Sequence, residues 1–498
     1  MTTIRRLRFS VSAVFAVAIS VGPCQAASRP NVVLLMADDL GYGDTGYNGN
    51  RVIKTPHLDA MAAEGINFTR FYAAAPVCSP TRASCLTGRH PYRTGIFFAN
   101  TGILRPEELT VAEVLRDAGY ATGHFGKWHL GTFSKTQKDA NRGGTDPALF
   151  NPPERHGFET YFSTESKVPT WDPMLRPAAT DRTKRNLKFG WDFIKDREKA
   201  EAYGTAYWTP SGIASENLDG DDSRVIMDSA IPFIEEAVNE ARPFFTVVWF
   251  HAPHLPVVAG PKYAAMYADQ PFKMRQFAGC VTAMDEQIGR LRDTLSALGV
   301  ADDTMIWFCS DNGPEGNDSS PGSAGGLRGR KRSLYEGGVR VPGLLVWPAG
   351  AKGSVVDAPV VTSDYFPTIL AAAGVELPAD APPLDGVSVL PLIAGDSWER
   401  PVPIAFASGG RFGLAGPRYK LYGTDELYDL TGDPAEAENI AGDRPEIVSE
   451  YLRTHEAAYE SWRKSFELGD YETDRDDFLR QTFPERDKSS RRRAAKGL

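Results

Sequence analysis

Residues 31–44, Asn-Val-Val-Leu-Leu-Met-Ala-Asp-Asp-Leu-Gly-Tyr-Gly-Asp, join a short apolar run directly to a polar, glycine-rich segment. The apolar run Asn31–Met36 shows no alternation of polar and apolar residues, which is typical of a strand buried on both faces of a parallel sheet. Asp38 and Asp39 follow it, and ligands of open α/β sheets bind outside the carboxyl ends of the strands. The stretch therefore predicts an α/β protein with a site at the end of this strand.

Helices and strands alternate along the next 300 residues or so. Pro56 stands at the first position of a predicted helix that Gly65 ends, and Thr110-Val-Ala-Glu113 forms a capping box that opens another helix. This alternation predicts a large, mostly parallel sheet with helices on both faces. The remaining predicted elements are strands at 66–72, 120–125, 244–250, 304–309 and 341–347 and a helix around 275–298.

The pattern changes near residue 400. Short runs at 403–407, 418–422 and 427–430 are separated by Gly, Pro and Asp, and a helical pattern follows from about 444 to 466. These features predict a smaller C-terminal subdomain with an antiparallel sheet and a helix. Between 132 and 220 clean elements are few, and insertions of this kind shape substrate choice. The predicted divisions are a leader (1–27), a catalytic α/β domain (28–397), a C-terminal α+β subdomain (398–485) and a basic flexible tail (486–498).

Composition and charge indicate a globular protein and disfavour one class of function. The 498 residues are 42% hydrophobic and 24% charged, as in globular proteins with ample core. A net charge of −9 argues against a nucleic-acid-binding protein, although it leaves room for a locally positive site that binds an anionic substrate.

The first residues resemble a secretory signal. Arg5, Arg6 and Arg8 precede an apolar stretch, Phe9–Gly22, that is shorter than the roughly 20 residues that span a bilayer. We therefore expect an exported protein, periplasmic or secreted, that has no membrane segment after cleavage near Ala26. A lipoprotein signal ending at Cys24 is the alternative, which Pro23 fits poorly.

Two pairs of oxygen ligands follow apolar strands. Asp38 and Asp39 follow the first strand, and Asp311 and Asn312 follow the strand at 304–309. Carboxylate and amide oxygens are hard donors, which suit Ca²⁺ or Mg²⁺ rather than a soft metal. A single pair is most simply a turn or a helix cap, but two pairs in the same context favour a metal site.

The densest signal is Cys-Ser-Pro-Thr-Arg-Ala-Ser-Cys-Leu-Thr-Gly-Arg at 78–89. Pro80 favours a helix start and Gly88 a helix end, which places Cys78 at a helix N-terminus where the dipole favours negative charge. Arg82 adds a cation one turn on. The other cysteines of the mature chain, Cys85, Cys280 and Cys309, lie in apolar surroundings and are predicted to be buried thiols.

The 78–89 run resembles the signature of type I, formylglycine-dependent sulfatases, which have an alkaline phosphatase-like fold. Thr81 departs from the family, where serine is commoner, but it keeps the hydroxyl. Six further segments resemble the family in its order: Asn31–Asp44, Gly-Lys-Trp-His-Leu-Gly at 126–131, His-Ala-Pro-His-Leu-Pro at 251–256, Ser-Asp-Asn-Gly at 310–313, Lys331–Pro342 and Leu427–Pro434.

The resemblance implies a modified nucleophile and a metal. Cys78 would be oxidised by a formylglycine-generating enzyme, and the hydrated aldehyde would attack sulfur. Ca²⁺ would be held by the modified Cys78 together with Asp38, Asp39, Asp311 and Asn312.

The resemblance also implies roles for the remaining site residues. Arg82 would orient the diol, and Lys127 and Lys331 would bind sulfate oxygens. His254, alone or with Lys331, would protonate the leaving alcohol. His129 would take the proton from the second diol hydroxyl as sulfate is expelled.

Several residues have two interpretations. His251 competes with His254, but the Ala-Pro-His-x-Pro spacing favours His254 and leaves His251 for packing or for facing the substrate. Trp171 and Arg176 are candidate substrate contacts, and a core tryptophan and a solvated arginine are equally compatible with the sequence.

The resemblance predicts an exported sulfatase acting on a sulfated carbohydrate. Segments 89–95 and 158–173 resemble enzymes that act on galactose or N-acetylgalactosamine units. The alternative is a phosphonate monoester or phosphodiester hydrolase of the same superfamily, against which the 126–131 box and the Lys331–Pro342 stretch argue. A glycan-binding protein without activity is disfavoured because every expected catalytic position is filled.

Overall fold

The computed structural model describes residues 29–137, 146–180, 189–467, 469–471 and 482–484. The predicted leader and basic tail lie outside these residues. The helices are α1 Pro56–Glu64, α2 Cys78–Thr87, α3 Pro91–Thr94, α4 Val111–Asp117, α5 Asp222–Asn239, α6 Pro261–Ala265, α7 Phe272–Ala297, α8 Glu336–Val339, α9 Tyr365–Ala373, α10 Leu390–Ile393 and α11 Pro445–Phe466. The strands are β1 Asn31–Ala37, β2 Ile66–Phe68, β3 Phe71–Tyr72, β4 Ala121–Lys127, β5 Thr160–Thr164, β6 Ala178–Ala179, β7 Trp191–Asp192, β8 Trp208–Thr209, β9 Gly212–Ile213, β10 Phe244–Trp249, β11 Thr304–Ser310, β12 Arg340–Val341, β13 Gly343–Val346, β14 Ser354–Val356, β15 Val360–Val361, β16 Ile404–Ser408, β17 Arg411–Ala415, β18 Tyr419–Tyr422 and β19 Glu426–Asp429.

A sheet of ten strands forms the centre of the fold, in the order β14-β2-β13-β11-β1-β10-β4-β5-β8-β9. Its middle strands β11, β1, β10, β4 and β5 are parallel to one another, and antiparallel strands flank them. The predicted α/β class and large sheet are confirmed, with more mixed edges than the sequence indicated. Because the parallel strands end at the same edge, the loops that follow them meet there.

The first strand is buried on both faces, as its composition predicts. Val32, Leu34 and Met36 belong to a core formed with helices α2, α4 and α9. Val33 and Leu35 belong to a second core with α1, α5 and α7. Helices therefore cover both faces of the sheet, which is why the strand shows no alternation of polar and apolar residues.

The predicted continuous strand at 66–72 is wrong. The chain leaves the central sheet after Phe68, and β3 joins a separate three-stranded sheet with β12 and β15. Arg70, buried at the break, donates hydrogen bonds to the carbonyls of Gly416 and Pro417. These bonds tie the chain to the C-terminal segment at the point where the pairing of β2 stops.

The C-terminal segment forms a four-stranded antiparallel sheet, β16 to β19, followed by α11. The sequence predicted three of its strands and missed β17, because glycines at 409, 410 and 413 resemble turn residues. The amphipathic α11 buries Tyr451, Tyr459 and Trp462. Among the described helices, none combines the length and the apolar character that crossing a membrane requires.

Candidate active site

The two predicted ligand pairs meet at the edge of the sheet. Ala37 and Ser310 are register partners on the parallel strands β1 and β11, so the residues that follow them are neighbours. The backbone N–H of Asp39 donates to Oδ1 of Asp311 (3.1 Å), and Nδ2 of Asn312 donates to Oδ1 of Asp39 (2.7 Å). Asp39 has a φ of 65°, a left-handed conformation that is uncommon outside glycine and is a local strain at this site.

Three buried oxygen atoms of this cluster have no hydrogen-bond partner: Oδ1 of Asp38, Oδ2 of Asp39 and Oδ1 of Asn312. Leaving a buried polar atom unpaired costs about 1–3 kcal/mol, so such atoms are rare unless a ligand satisfies them. All three are hard oxygen donors of the type that binds Ca²⁺. The residues present thus fit a bound calcium ion.

Cys78 lies beside these carboxylates at the start of α2. One atom each from Asp38, Asp39, Cys78 and His254 lies within 4.8 Å of the other three. Burial above all, and then Asp311 and Asp38, raise the pKa of the Cys78 thiol to about 11 despite the nearby lysines. The unmodified thiol is therefore protonated near neutral pH and is a weak nucleophile.

The turn before Cys78 depends on a hydroxyl. Oγ1 of Thr81 donates to the carbonyl of Ala75 (2.9 Å) and accepts from its N–H (3.1 Å). Serine offers the same two bonds, so Thr81 preserves the geometry that the family's serine would give. Gly88 ends α2 with a φ of 67°, where a side chain would strain the backbone.

Three cations converge on the acidic cluster. Arg82, fully buried, donates to Oδ2 of Asp311 (2.7 Å). Lys127, the last residue of β4, donates to Oδ2 of Asp38 (2.6 Å). Lys331 donates to Asp39 and to Sγ of Cys78 (3.5 Å for the latter). The predicted nucleophile, cations and carboxylates therefore form one continuous network.

The positive charge near Asp39 affects the pKa of its carboxyl group. Burial raises its pKa, but the charge and the hydrogen bond of Lys331 outweigh that effect, and the pKa of Asp39 lies below its usual range. The carboxylate is thus ionised across the neutral range, as a metal ligand must be.

His254 reaches the cluster from the loop after β10. Its Nε2 lies 3.7 Å from Oδ2 of Asp39, and its Nδ1 donates to the carbonyl of Leu255 at 2.7 Å. The Nδ1 contact fixes the ring and leaves Nε2 directed at the site. Burial, followed by the effects of Lys127 and Lys331, lowers the pKa of His254 well below its usual value despite Asp39.

His251 is a packing residue and not the competitor of His254. It is fully buried, with Nδ1 2.8 Å from Oδ2 of Asp222 and Nε2 2.7 Å from Oγ1 of Thr164. Because both ring nitrogens are engaged, His251 ties the 251–256 loop to the end of β5. Of the two histidines, it is His254 whose Nε2 lies near the acidic cluster.

His129 lies on the loop directly after Lys127. Its φ of 59° is left-handed, its Nε2 lies 2.6 Å from Oδ1 of Asn100, and its N–H donates to the carbonyl of Glu165 (2.9 Å). The ring is buried and held in one orientation. Asn100 was not predicted, because no motif surrounds it and only the folded chain brings it to His129.

The structure shows the surroundings of Trp171 and Arg176, the two candidate substrate contacts. Trp171 packs over Gly260, where a Cβ atom would overlap its ring. Arg176 is 60% exposed and lies 3.4 Å from Glu201, and both residues stay candidate substrate contacts. Glu315, another residue that the sequence did not single out, lies 2.9 Å from Arg332 and 4.0 Å from Lys331.

Comparisons with known proteins identify the family of the chain. The family model described as Sulfatase matches residues 30–375, and the model described as N-sulphoglucosamine sulphohydrolase, C-terminal, matches residues 329–456. Steryl-sulfatase of Mus musculus is 34% identical over 75% of this chain and 67% of its own length. N-acetylgalactosamine-6-sulfatase of Homo sapiens is 32% identical over 77% of this chain and 70% of its own.

A solved structure shows the same architecture. Ps i-CgsB in complex with k-i-k-neocarrahexaose superposes with a TM-score of 0.72 at 26% identity, covering 91% of this chain and 95% of that one. Family model, relatives and structure agree over most of the chain's length. The chain belongs to the sulfatase family and is a sulfuric ester hydrolase.

Proposed function

We propose that this protein is an exported carbohydrate sulfatase that removes sulfate from galactose or N-acetylgalactosamine units of a sulfated glycan. The observation that carries the proposal is the cluster of three buried, unpaired oxygen atoms beside Cys78 and three cations. The similarity to N-acetylgalactosamine-6-sulfatase and to Ps i-CgsB supports the class of substrate. The signal-like residues 1–27 support export.

We propose that Ca²⁺ is held by Asp38, Asp39, Asp311 and Asn312 together with modified Cys78. When bound, the ion supplies positive charge that favours ionisation of the nucleophilic hydroxyl and polarises the ester. Lys127 and Lys331 lie against Asp38 and Asp39, where they offset part of the carboxylate charge.

We propose that Cys78 is converted to formylglycine by a formylglycine-generating enzyme, and that its hydrated aldehyde supplies the oxygen nucleophile. A protonated thiol with a pKa near 11 would itself be slow to attack an anionic sulfate ester. Every residue of α2 is buried, so the modifying enzyme must reach Cys78 before the chain folds.

The chain's own side chains divide the remaining work. Lys127 and Lys331 bind the sulfate oxygens as point charges and offset the negative charge of the transition state. Arg82 is held by Asp311 and by the carbonyl of Lys127 (3.1 Å), which suits it to orienting the nucleophile. Nε2 of His254 donates a proton to the leaving oxygen from the imidazolium form, which the negative charge of the bound ester favours, and His129 accepts a proton as sulfate departs.

The activity is tested by comparing 4-nitrophenyl sulfate with a 4-nitrophenyl phosphodiester and with a panel of defined sulfated oligosaccharides. We expect turnover of the sulfate to exceed that of the phosphodiester, and sulfate release to be fastest from galactose or N-acetylgalactosamine sulfates. Faster turnover of the phosphodiester than of every sulfate would support the phosphonate monoester or phosphodiester hydrolase instead.

The two histidines should be separable by the step that each serves. His254→Ala should slow hydrolysis of a sugar sulfate by about 10²–10⁴-fold and of 4-nitrophenyl sulfate much less, because nitrophenolate leaves without a proton. His129→Ala should instead release one equivalent of nitrophenol rapidly and then turn over slowly. Rapid-quench kinetics measure both effects. A nitrophenol burst in the His254 variant and none in the His129 variant would show that the two roles have to be exchanged between these histidines.

A further inference from the structure

The loop after β5 lies between the two loops that carry His129 and His254. On one side, the carbonyl of Glu165 accepts from the N–H of His129 (2.9 Å). On the other side, Oγ1 of Thr170 donates to the carbonyl of Val258 (2.8 Å), two residues beyond the second cis-proline of the His254 loop. The loop is therefore fixed at both ends, and Lys167 stands between the two anchor points.

Lys167 shares the electrostatic field of the site. Burial, and then the ammonium groups of Lys127 and Lys331, lower its pKa, while Asp38 and Asp39 act in the opposite direction. The side chain is only partly buried, unlike those of Lys127 and Lys331, so it stands nearer the solvent. Lys167 therefore extends the positive region of the site outwards from the sulfate-binding lysines.

Each cation of the inner site has at least one carboxylate partner. Lys127 contacts Asp38, Lys331 contacts Asp39 and Arg82 contacts Asp311. The nearby Glu315 forms an ion pair with Arg332. Within the described parts of the chain, no carboxylate forms an ion pair with Lys167. Other lysines outside the site, such as Lys262 with Glu286 at 2.7 Å, do have such a partner.

A partly buried cation without a counter-ion is costly, and an anionic group of a ligand would remove that cost. The sulfate that is hydrolysed must lie beside Cys78, where Lys127 and Lys331 already face it. Lys167 lies nearer the solvent, where the part of the substrate that extends beyond that sulfate would contact it.

We propose that Lys167 binds a second anionic group of the substrate, a carboxylate or a further sulfate on the same sugar or the next one. The inference rests on the proposed function and narrows it, since it requires a glycan that carries more than one negative charge near the cleaved ester. An aryl sulfate with a single charge cannot make this contact.

The test compares the wild type with Lys167→Gln on matched oligosaccharides that share the cleaved sulfate. One substrate carries no other charge, a second carries an additional sulfate, and a third carries a uronic acid carboxylate. A charge-assisted contact of this kind is worth about tenfold or more in affinity. We expect the variant's loss of kcat/KM on one of the doubly charged substrates to exceed its loss on the singly charged one by at least about tenfold, chiefly through KM.

Which doubly charged substrate is affected distinguishes a sulfate from a carboxylate partner. Lys167→Arg should retain most of the wild-type kcat/KM on the affected substrate. Lys262→Gln, which removes a paired surface lysine, should leave kcat/KM unchanged on the singly and the doubly charged substrates. Equal losses on singly and doubly charged substrates would overturn the inference while leaving the sulfatase assignment intact. Failure of the wild type to release sulfate from any ester would instead overturn the proposed function.

Discussion

Cys78→Ala is expected to abolish sulfate ester hydrolysis, with a loss of at least about 10⁴-fold in kcat. The lysines, the carboxylates and His254 all converge on this side chain, and none of them offers an alternative nucleophile of comparable position. Sulfate release from 4-nitrophenyl sulfate measures the effect, and circular dichroism verifies that the variant folds.

Cys85→Ala is the matched control for this variant. Cys85 is a buried free thiol on the same helix, but it belongs to the apolar core behind α2. Its replacement should lower stability modestly and leave kcat within a few-fold of the wild type. If Cys78→Ala retained wild-type activity, the nucleophile would have to be assigned elsewhere.

Removal of the metal is expected to have the second largest effect. Chelation should lower kcat/KM by about 10³-fold or more, since the charge of the proposed Ca²⁺ would stabilise the transition state by several kcal/mol. Ca²⁺ should restore activity, and Zn²⁺ should not, because the donor atoms are oxygens.

A readout independent of activity is the melting temperature. Ca²⁺ at 100 times its Kd should stabilise the fold by about 2.7 kcal/mol. Asn312→Ala removes one of the unpaired oxygens and should weaken this stabilisation, whereas Asn217→Ala, on an exposed segment, should not. A melting temperature that does not respond to Ca²⁺, or activation by Zn²⁺ alone, would contradict the proposed site.

Much of this fold could be predicted because its signals are local. The apolar run at 31–36, which has no alternation of polar and apolar residues, indicates a strand buried on both faces. Pro56 and Gly65 mark the ends of α1. The meeting of Asp38 with Asp311 could also be anticipated, because carboxyl ends of parallel strands share an edge. What could not be predicted depends on contacts between distant segments.

The break between β2 and β3 illustrates this limit. Arg70 lies at the break, and its guanidinium donates to carbonyls almost 350 residues away; no local pattern indicates such a partner. Asn100 and Lys167 were missed for the same reason. Each interacts with site residues on other loops, and these loops come together only in the folded protein.

The most direct test of the account is the mass of the peptide that contains residue 78, measured in protein that hydrolyses sulfate esters. Conversion of the thiol to an aldehyde lowers the mass by about 18 Da, and the account predicts that activity scales with the fraction of chains carrying this change. Full activity in protein whose Cys78 remains entirely an unmodified thiol would contradict it.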